Sequence, residues 1–301
     1  MDLFLQLLIT GVMLGSIFAL LALGWVLIYK CSGVLNLAMG ELTMIGGYVS
    51  LSLYTRFVQV MPVHTAFLIA LVGTMLVGIV LGLLTERIFL RKMMGQPILT
   101  VIMVTVGLSL FFKGMVFIIW DPDTQMFDPR VFPSEPVVVA GVSVGQIYIW
   151  SFVSAIILMV VFVCFFKYTR WGLSMQACAD DDMAALSLGV SSKFVQAVAW
   201  AIAFMAAGVG GTLLGNINGL NYSLSLLGLV VLPVVFFGGL NSILGAIVGG
   251  VTIGILQSLA GGYLDQFFPG GIKEIAPFAF MVVFLLFKPY GLWGWERIER
   301  V

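Results

Sequence analysis

The chain has 301 residues, of which 61% are hydrophobic and 9% charged, and its formal net charge is zero. Soluble domains carry roughly a quarter charged residues, so most of this chain is excluded from water. The neutral balance excludes the basic footprint of a nucleic-acid binder and gives no sign of an acidic partner.

The apolar runs are continuous and long enough to cross a hydrocarbon core about 30 Å thick, whereas barrel strands would alternate over about ten residues. The expected fold is all-α: a polytopic transmembrane helical bundle forming one membrane domain over residues 1–301. Between eight and nine membrane segments are predicted, near 3–29, 36–54, 63–86, 97–120, 147–167, 194–215, 224–239, 241–260 and 274–288. The first opens Met1-Asp2, lacks the positive region of a signal peptide and stays apolar to about Tyr29, so it is read as a retained span. The segments at 36–54 and 224–239 are short or interrupted by Gly and Pro, the pattern of broken or re-entrant helices.

Basic residues set the expected orientation. With the N-terminus outside and the C-terminus inside, ten of the fourteen fall on the cytoplasmic side: Lys30, Arg87, Arg91, Lys92, Lys167, Arg170, Lys193, Lys288, Arg297 and Arg300. Arg56, Arg130 and Lys273 fall outside and Lys113 lies within a span, so the positive-inside rule selects N-out, C-in. Residues 121–146 then form an extracytoplasmic loop carrying Asp121, Asp123, Asp128 and Glu135. Trp120, Trp150, Trp171, Trp293 and Trp295 sit near span ends, as in an aromatic belt.

Along the chain, the first break falls at Cys31–Asn36, where Asn36 is expected to cap a restarting helix. Glu41 follows as the one carboxylate assigned inside a membrane segment, and an intramembrane acid is a functional candidate by default. Lys113 is the matching cation, and a Glu41–Lys113 ion pair is expected; the competing readings are an interfacial or protonated Glu41 and a snorkelling Lys113. The glycines, among them Gly40, Gly46, Gly47, Gly210-Gly211, Gly238-Gly239 and Gly249-Gly250, read first as helix-packing positions. His64 is the only histidine and Cys31, Cys164 and Cys178 have no metal-ligand spacing, so no metal site is expected. No nucleophile–base constellation and no Gly-x-x-x-x-Gly-Lys-Ser/Thr loop occurs, which argues against an enzyme and against ATP chemistry in this chain.

The most unusual polar stretch is the cytoplasmic loop 171–193. Asp180, Asp181 and Asp182 are placed to cap a short helix, and Gly189 to end it. That helix presents Met183, Ala184, Leu186, Ser187 and Leu188, apolar side chains that need a surface to pack on.

Ala184-Ala185-x-x-x-Gly189 resembles the coupling-helix motif of ABC importer permeases, with Met183 where the motif has glutamate. Gly15-x-x-x-Ala19-Leu20-x-Ala22-Leu23-Gly24, then Gly33-Val34-x-Asn36-x-Ala38-x-Gly40-Glu41-x-x-Met44-x-Gly46-x-Tyr48, resembles the signature of branched-chain amino acid ABC importer permeases. Thr105-x-Gly107-Leu108-Ser109, the Asp181 to Gly189 loop, Gly238-Gly239-x-x-Ser242-x-x-Gly245-Ala246 and Lys288-Pro289-x-Gly291-Leu292-x-Gly294 follow in family order. Gln176, Leu186 and Asn241 depart from the family pattern.

The resemblance implies a bacterial inner-membrane permease subunit, surrounded by lipid and forming half of a translocation pathway for branched-chain or related amino acids. It implies a homologous second permease subunit, two cytoplasmic ATPase subunits that bind ATP and Mg, and an extracytoplasmic substrate-binding protein. On this reading Asp180, Asp181, Asp182, Met183, Ala184, Ala185, Leu188 and Gly189 dock the ATPase, and Asn36, Gly40, Glu41, Thr105 and Gly107 line the pathway. The alternative is a stand-alone secondary transporter or channel for a small polar solute, which interrupted helices also suit.

Overall fold

The computed structural model describes residues 2–120, 123–133, 135–139, 141–267 and 271–294. Asp121, Trp295, Arg297 and Arg300, used above for the outer loop, the aromatic belt and the orientation, lie outside the described residues.

Among the described residues, six helices are long and apolar enough to cross a membrane: α1 (Asp2–Ser32), α3 (Val63–Ile88), α4 (Ile98–Ile119), α5 (Gln146–Tyr168), α8 (Ser192–Asn218) and α11 (Ile243–Tyr263). The fold is an all-α polytopic transmembrane bundle. The eight to nine spans expected from sequence are thus reduced to six by length and composition. The other three segments are helical but fall short. α2 (Met39–Phe57) carries Glu41 and Arg56, and α12 (Ile272–Phe287) has 16 residues, where about 20 span the core. The third divides into α9 (Leu224–Leu229) and α10 (Val231–Gly238). Pro233 has no amide to give the Leu229 carbonyl, which breaks the ladder there.

Lipid tails provide no hydrophobic drive between helices, so close van der Waals packing must hold the bundle. α1 and α8 are buried almost throughout and form its centre. α1 lies along α11, where Gly11 and Gly15 face Gly254 and Gly250, and Gly250 also abuts Ala19. α8 holds α3 through Gly78 and Gly82, which rest on the Trp200–Met205 backbone, and holds α2 through Gly46 on Gly208. The packing reading of these glycines agrees with the structure. On the outside, α3 exposes Leu68, Val72, Leu76 and Val80 at helical spacing, an apolar stripe suited to lipid.

Two elements were not anticipated. β1 (Pro136–Val139) and β2 (Val142–Gly145) form an antiparallel hairpin inside the 121–146 loop, with Val137 opposite Val144. The loop is pinned inward by the Tyr54 hydroxyl donating to the Pro129 carbonyl at 2.6 Å and by a bridge between Gln125 and Leu220. The second is α6 (Arg170–Asp180), which occupies the first half of the 171–193 loop. Its buried residues Gly172, Met175 and Cys178 fall at i, i+3 spacing, one face of a helix. At the far end, the tail closes on α10: the Leu292 and Trp293 amides donate to the Phe237 and Gly238 carbonyls at 2.9 and 3.1 Å.

Candidate functional site

The break after α1 is built from polar groups held at depth. The Trp25 indole donates to the Asn36 carbonyl at 2.9 Å, and the Asn36 side chain accepts the Ala38 amide at 3.0 Å. The expected role of Asn36 as helix cap is corrected here. α2 starts three residues later, at Met39, and the Asn36 side chain closes an Asx turn before it. Asn36 Nδ2 is buried without a hydrogen-bond partner. Thr105 of α4 donates to the Leu35 carbonyl at 3.1 Å. Thr105 is seven residues past the start of α4, so the break sits about 10 Å along that helix and not at its end.

α2 and α4 run side by side in the same direction. Thr105 meets Leu35 near their starts, and the Trp120 indole donates to Ser52 at 2.7 Å near their ends. Tyr48 stacks on Trp120 with ring centroids 5.6 Å apart. Between these fastenings lie Glu41 on α2 and Lys113 on α4. Glu41 is 6% exposed and stands beside Ser109, within electrostatic reach of Lys113. The expected Glu41–Lys113 salt bridge is not formed, in contrast to Arg91–Glu86 at 2.8 Å. Lys113 turns instead to Tyr222, donating to its hydroxyl at 2.7 Å with the ammonium 4.3 Å from the ring centre. Glu41 Oε2 is left buried without a hydrogen-bond partner.

Of the predicted pathway residues, Asn36, Gly40, Glu41 and Thr105 gather where α2 meets α4 and α9. Gly40 is in backbone contact with Ser225 and Gly228. Gly107 is separate. It lies two residues beyond Thr105, about 200° around the helix, and faces open space. Ser109 entered the sequence reading only as the end of a family motif, with no role assigned, and Tyr222 was missed. The spacing Thr105, Ser109, Lys113 was a usable signal for the first, since residues four apart share a helix face. No local pattern connects Tyr222 to a lysine 109 positions earlier.

The 171–193 loop folds as two helices, the second being α7 (Asp182–Ser187). Asp181 is its cap, accepting the Ala184 amide at 3.0 Å, while Asp180 ends α6 and Asp182 opens α7. Asp182 accepts from the Ser192 hydroxyl at 2.5 Å, tying the start of α7 to the start of α8. Gly189 has φ +85° and donates to the Leu186 carbonyl, while the Val190 amide reaches back to Ala185, a left-handed helix stop. Ala185 is 2% exposed and anchors α7, whereas Met183, Leu186 and Leu188 are 75%, 47% and 84% exposed. Gln176 donates to the Phe166 carbonyl at 2.8 Å, which fixes α6 to the end of α5. A cavity of about 550 Å³ joins the two regions: Asp182 and Leu186 share its wall with Gly33, Leu35 and Trp200.

Residues 7–287 match the family described as branched-chain amino acid transport system / permease component. The chain is 30% identical over 309 residues to the high-affinity branched-chain amino acid transport system permease protein LivH of Escherichia coli K12, covering 99% of this chain and 98% of that protein. It is 29% identical over 307 residues to BraD of Pseudomonas aeruginosa, a permease protein of the same description, with the same coverage. Among solved structures, PsaBC from Streptococcus pneumoniae in complex with Fab aligns with a TM-score of 0.49 at 12% identity, covering 95% of this chain and 91% of that one. The break with its buried polar groups, the capped α7 and the bundle around them are therefore parts of a transport subunit and not of an enzyme, and the chain belongs to the branched-chain amino acid transport system permease component family, as a multi-pass inner-membrane protein.

Proposed function

We propose that this permease forms half of the translocation pathway of an ATP-driven importer for branched-chain or related amino acids. Its partners are a homologous second permease subunit, two cytoplasmic ATPase subunits that bind ATP and Mg, and an extracytoplasmic substrate-binding protein. The chain is one membrane domain, N-out and C-in, with 121–146 outside and 171–193 inside. α2, α9–α10 and α12 enter the membrane as short or broken helices, which brings the number of membrane segments to eight or nine.

One observation carries the ATPase-docking assignment. α7 is capped at both ends, anchored by Ala185, and holds Met183, Leu186 and Leu188 outward on a rigid turn. Apolar residues on so short a helix suit a groove in another protein. An ATPase biases the permease only if it contacts its states differently. The cavity shared by α7 and the α1–α2 break supplies the route: displacing Leu186 changes the space beside Gly33 and Leu35.

The pathway follows the seam of α2 with α4 at Glu41 and Thr105, with Asn36 just before α2 and Gly40 on its α9 side, and Gly107 faces the second permease. The test is purification with the products of neighbouring genes, followed by reconstitution. Co-purifying nucleotide-binding subunits and ATP-dependent uptake, with leucine competed against urea and aromatic amino acids, would support the reading. Transport by this subunit alone would overturn it.

A further inference from the structure

We propose that Glu41 and Lys113 are the two charged arms of a transit site for a zwitterionic α-amino acid. The Glu41 carboxylate receives the ammonium of the cargo, and Lys113 with the Tyr222 hydroxyl receives its carboxylate. The assignment rests on the amino-acid cargo of the proposed function and specifies the residues that handle it.

Opposite charges within membrane helices are costly, so a purely structural pair would be expected to neutralise itself. This protein shows what that looks like: the buried Glu86 is held by Arg91 through two bonds, of 3.0 and 2.8 Å. Glu41 and Lys113 are arranged differently. They occupy adjoining helices within electrostatic reach, yet among the described residues Glu41 keeps one oxygen unpartnered and Lys113 bonds only to the Tyr222 hydroxyl. Lys113 is held by a neutral phenol and its ring, a site that a carboxylate can take over or share. Glu41 has Ser109 beside it and one carboxylate oxygen buried without a partner. Buried polar atoms are mostly satisfied, so the unpartnered carboxylate oxygen keeps acceptor capacity for a donor.

The cargo supplies what is missing on both sides. A zwitterion is neutral overall but carries a donor ammonium and an acceptor carboxylate on one carbon. Docked between the arms, it completes the hydrogen bonding of Glu41 and gives Lys113 a charged acceptor without adding net charge to the membrane. Lys113 and Tyr222 are partly exposed whereas Glu41 is not, so the cargo meets Lys113 first. It reaches Glu41 as the seam between the Thr105 and Trp120 fastenings opens.

The experiment uses the whole importer, with its ATPases and binding protein, in proteoliposomes, and measures leucine uptake, subunit assembly and thermal midpoint. Glu41→Gln and Lys113→Met should each lower uptake at least about tenfold, roughly the scale of one lost charge-assisted hydrogen bond. Assembly and thermal midpoint should stay close to the parent values, and Lys113→Arg and Glu41→Asp should recover much of the loss. Neutral variants that transport within twofold of the parent would overturn the assignment. So would Arg and Asp variants no better than the neutral ones. Should Glu41→Gln fail to assemble, the partly exposed Lys113 carries the test through its Met and Arg variants. A parent complex that moves an uncharged amide but no amino acid would overturn the cargo reading and this site together.

Discussion

Gly46 of α2 and Gly208 of α8 meet backbone to backbone, and a Cβ built on Gly46 would overlap the Gly208 Cα. No flexible side chain is available there to give way. Gly46→Val should destabilise the permease by about 1–3 kcal/mol or more, the range for overpacking a tight site. A lowered thermal midpoint in detergent checks it. Gly107→Ala meets open space and should leave the midpoint unchanged.

Thr105 ties α4 to the break by its bond to the Leu35 carbonyl at 3.1 Å. Thr105→Val keeps the shape, removes the donor and leaves that carbonyl short of a partner. The expected cost is about 1–3 kcal/mol, with Thr105→Ser close to the parent. Thermal unfolding monitored by intrinsic tryptophan fluorescence would show the difference; equal midpoints for Val and Ser would refute it.

α7 depends on its two ends. Gly189→Pro demands φ near −65° where the chain has +85°, and removes the amide that donates to Leu186. Ala185→Arg drives a charged side chain into a buried position. Both variants should insert normally, retain the bundle and uncouple ATP hydrolysis from uptake. Normal uptake from either would mean that the loop is ordinary surface.

Met183→Glu together with Leu188→Glu changes two exposed side chains and no packing. The bundle should keep its thermal midpoint while capture of the ATPase subunits in pull-downs falls at least about tenfold, as expected when apolar anchors of a small interface are removed.

The Cys178 thiol is raised above its ordinary range, first by burial and then by the Asp182 carboxylate, with Ser192 opposing them. A raised pKa favours the protonated thiol in the fold, so its contribution to stability is present at neutral pH and fades as pH climbs through the folded value. Native Cys178 should therefore react slowly with a water-soluble maleimide at pH 7–8, and Asp182→Asn should speed the reaction. Mass spectrometry of the 170–193 peptide would read both.

All nine apolar segments became helices close to their expected limits, because continuous apolar runs with Gly and Pro punctuation are local signals. The α7 stop was equally local: Gly189 takes the left-handed conformation its position required. α6 was hidden because its buried face is made of Gly172, Met175 and Cys178, two of them small, which dilutes the apolar pattern. The hairpin was legible in principle, since Val137 to Val139 and Val142 to Val144 flank a Gly141 with φ +82°, but prolines and acids around it read as loop. The candidate site was read one residue type at a time. Glu41 and Lys113 were identified by their cost in a membrane, whereas Tyr222 depends on a tertiary contact that sequence spacing does not encode.

The main partner of α1 is α11, which follows it by more than two hundred residues. Until α11 is made, the groove around Gly11 and Gly15 is an open notch. Insertion of this protein and completion of its fold are thus separate events, and the chain must stay soluble in the bilayer as an unfinished bundle for most of its synthesis. A half-made chain offers that small-residue notch to any passing helix until α11 has taken its place.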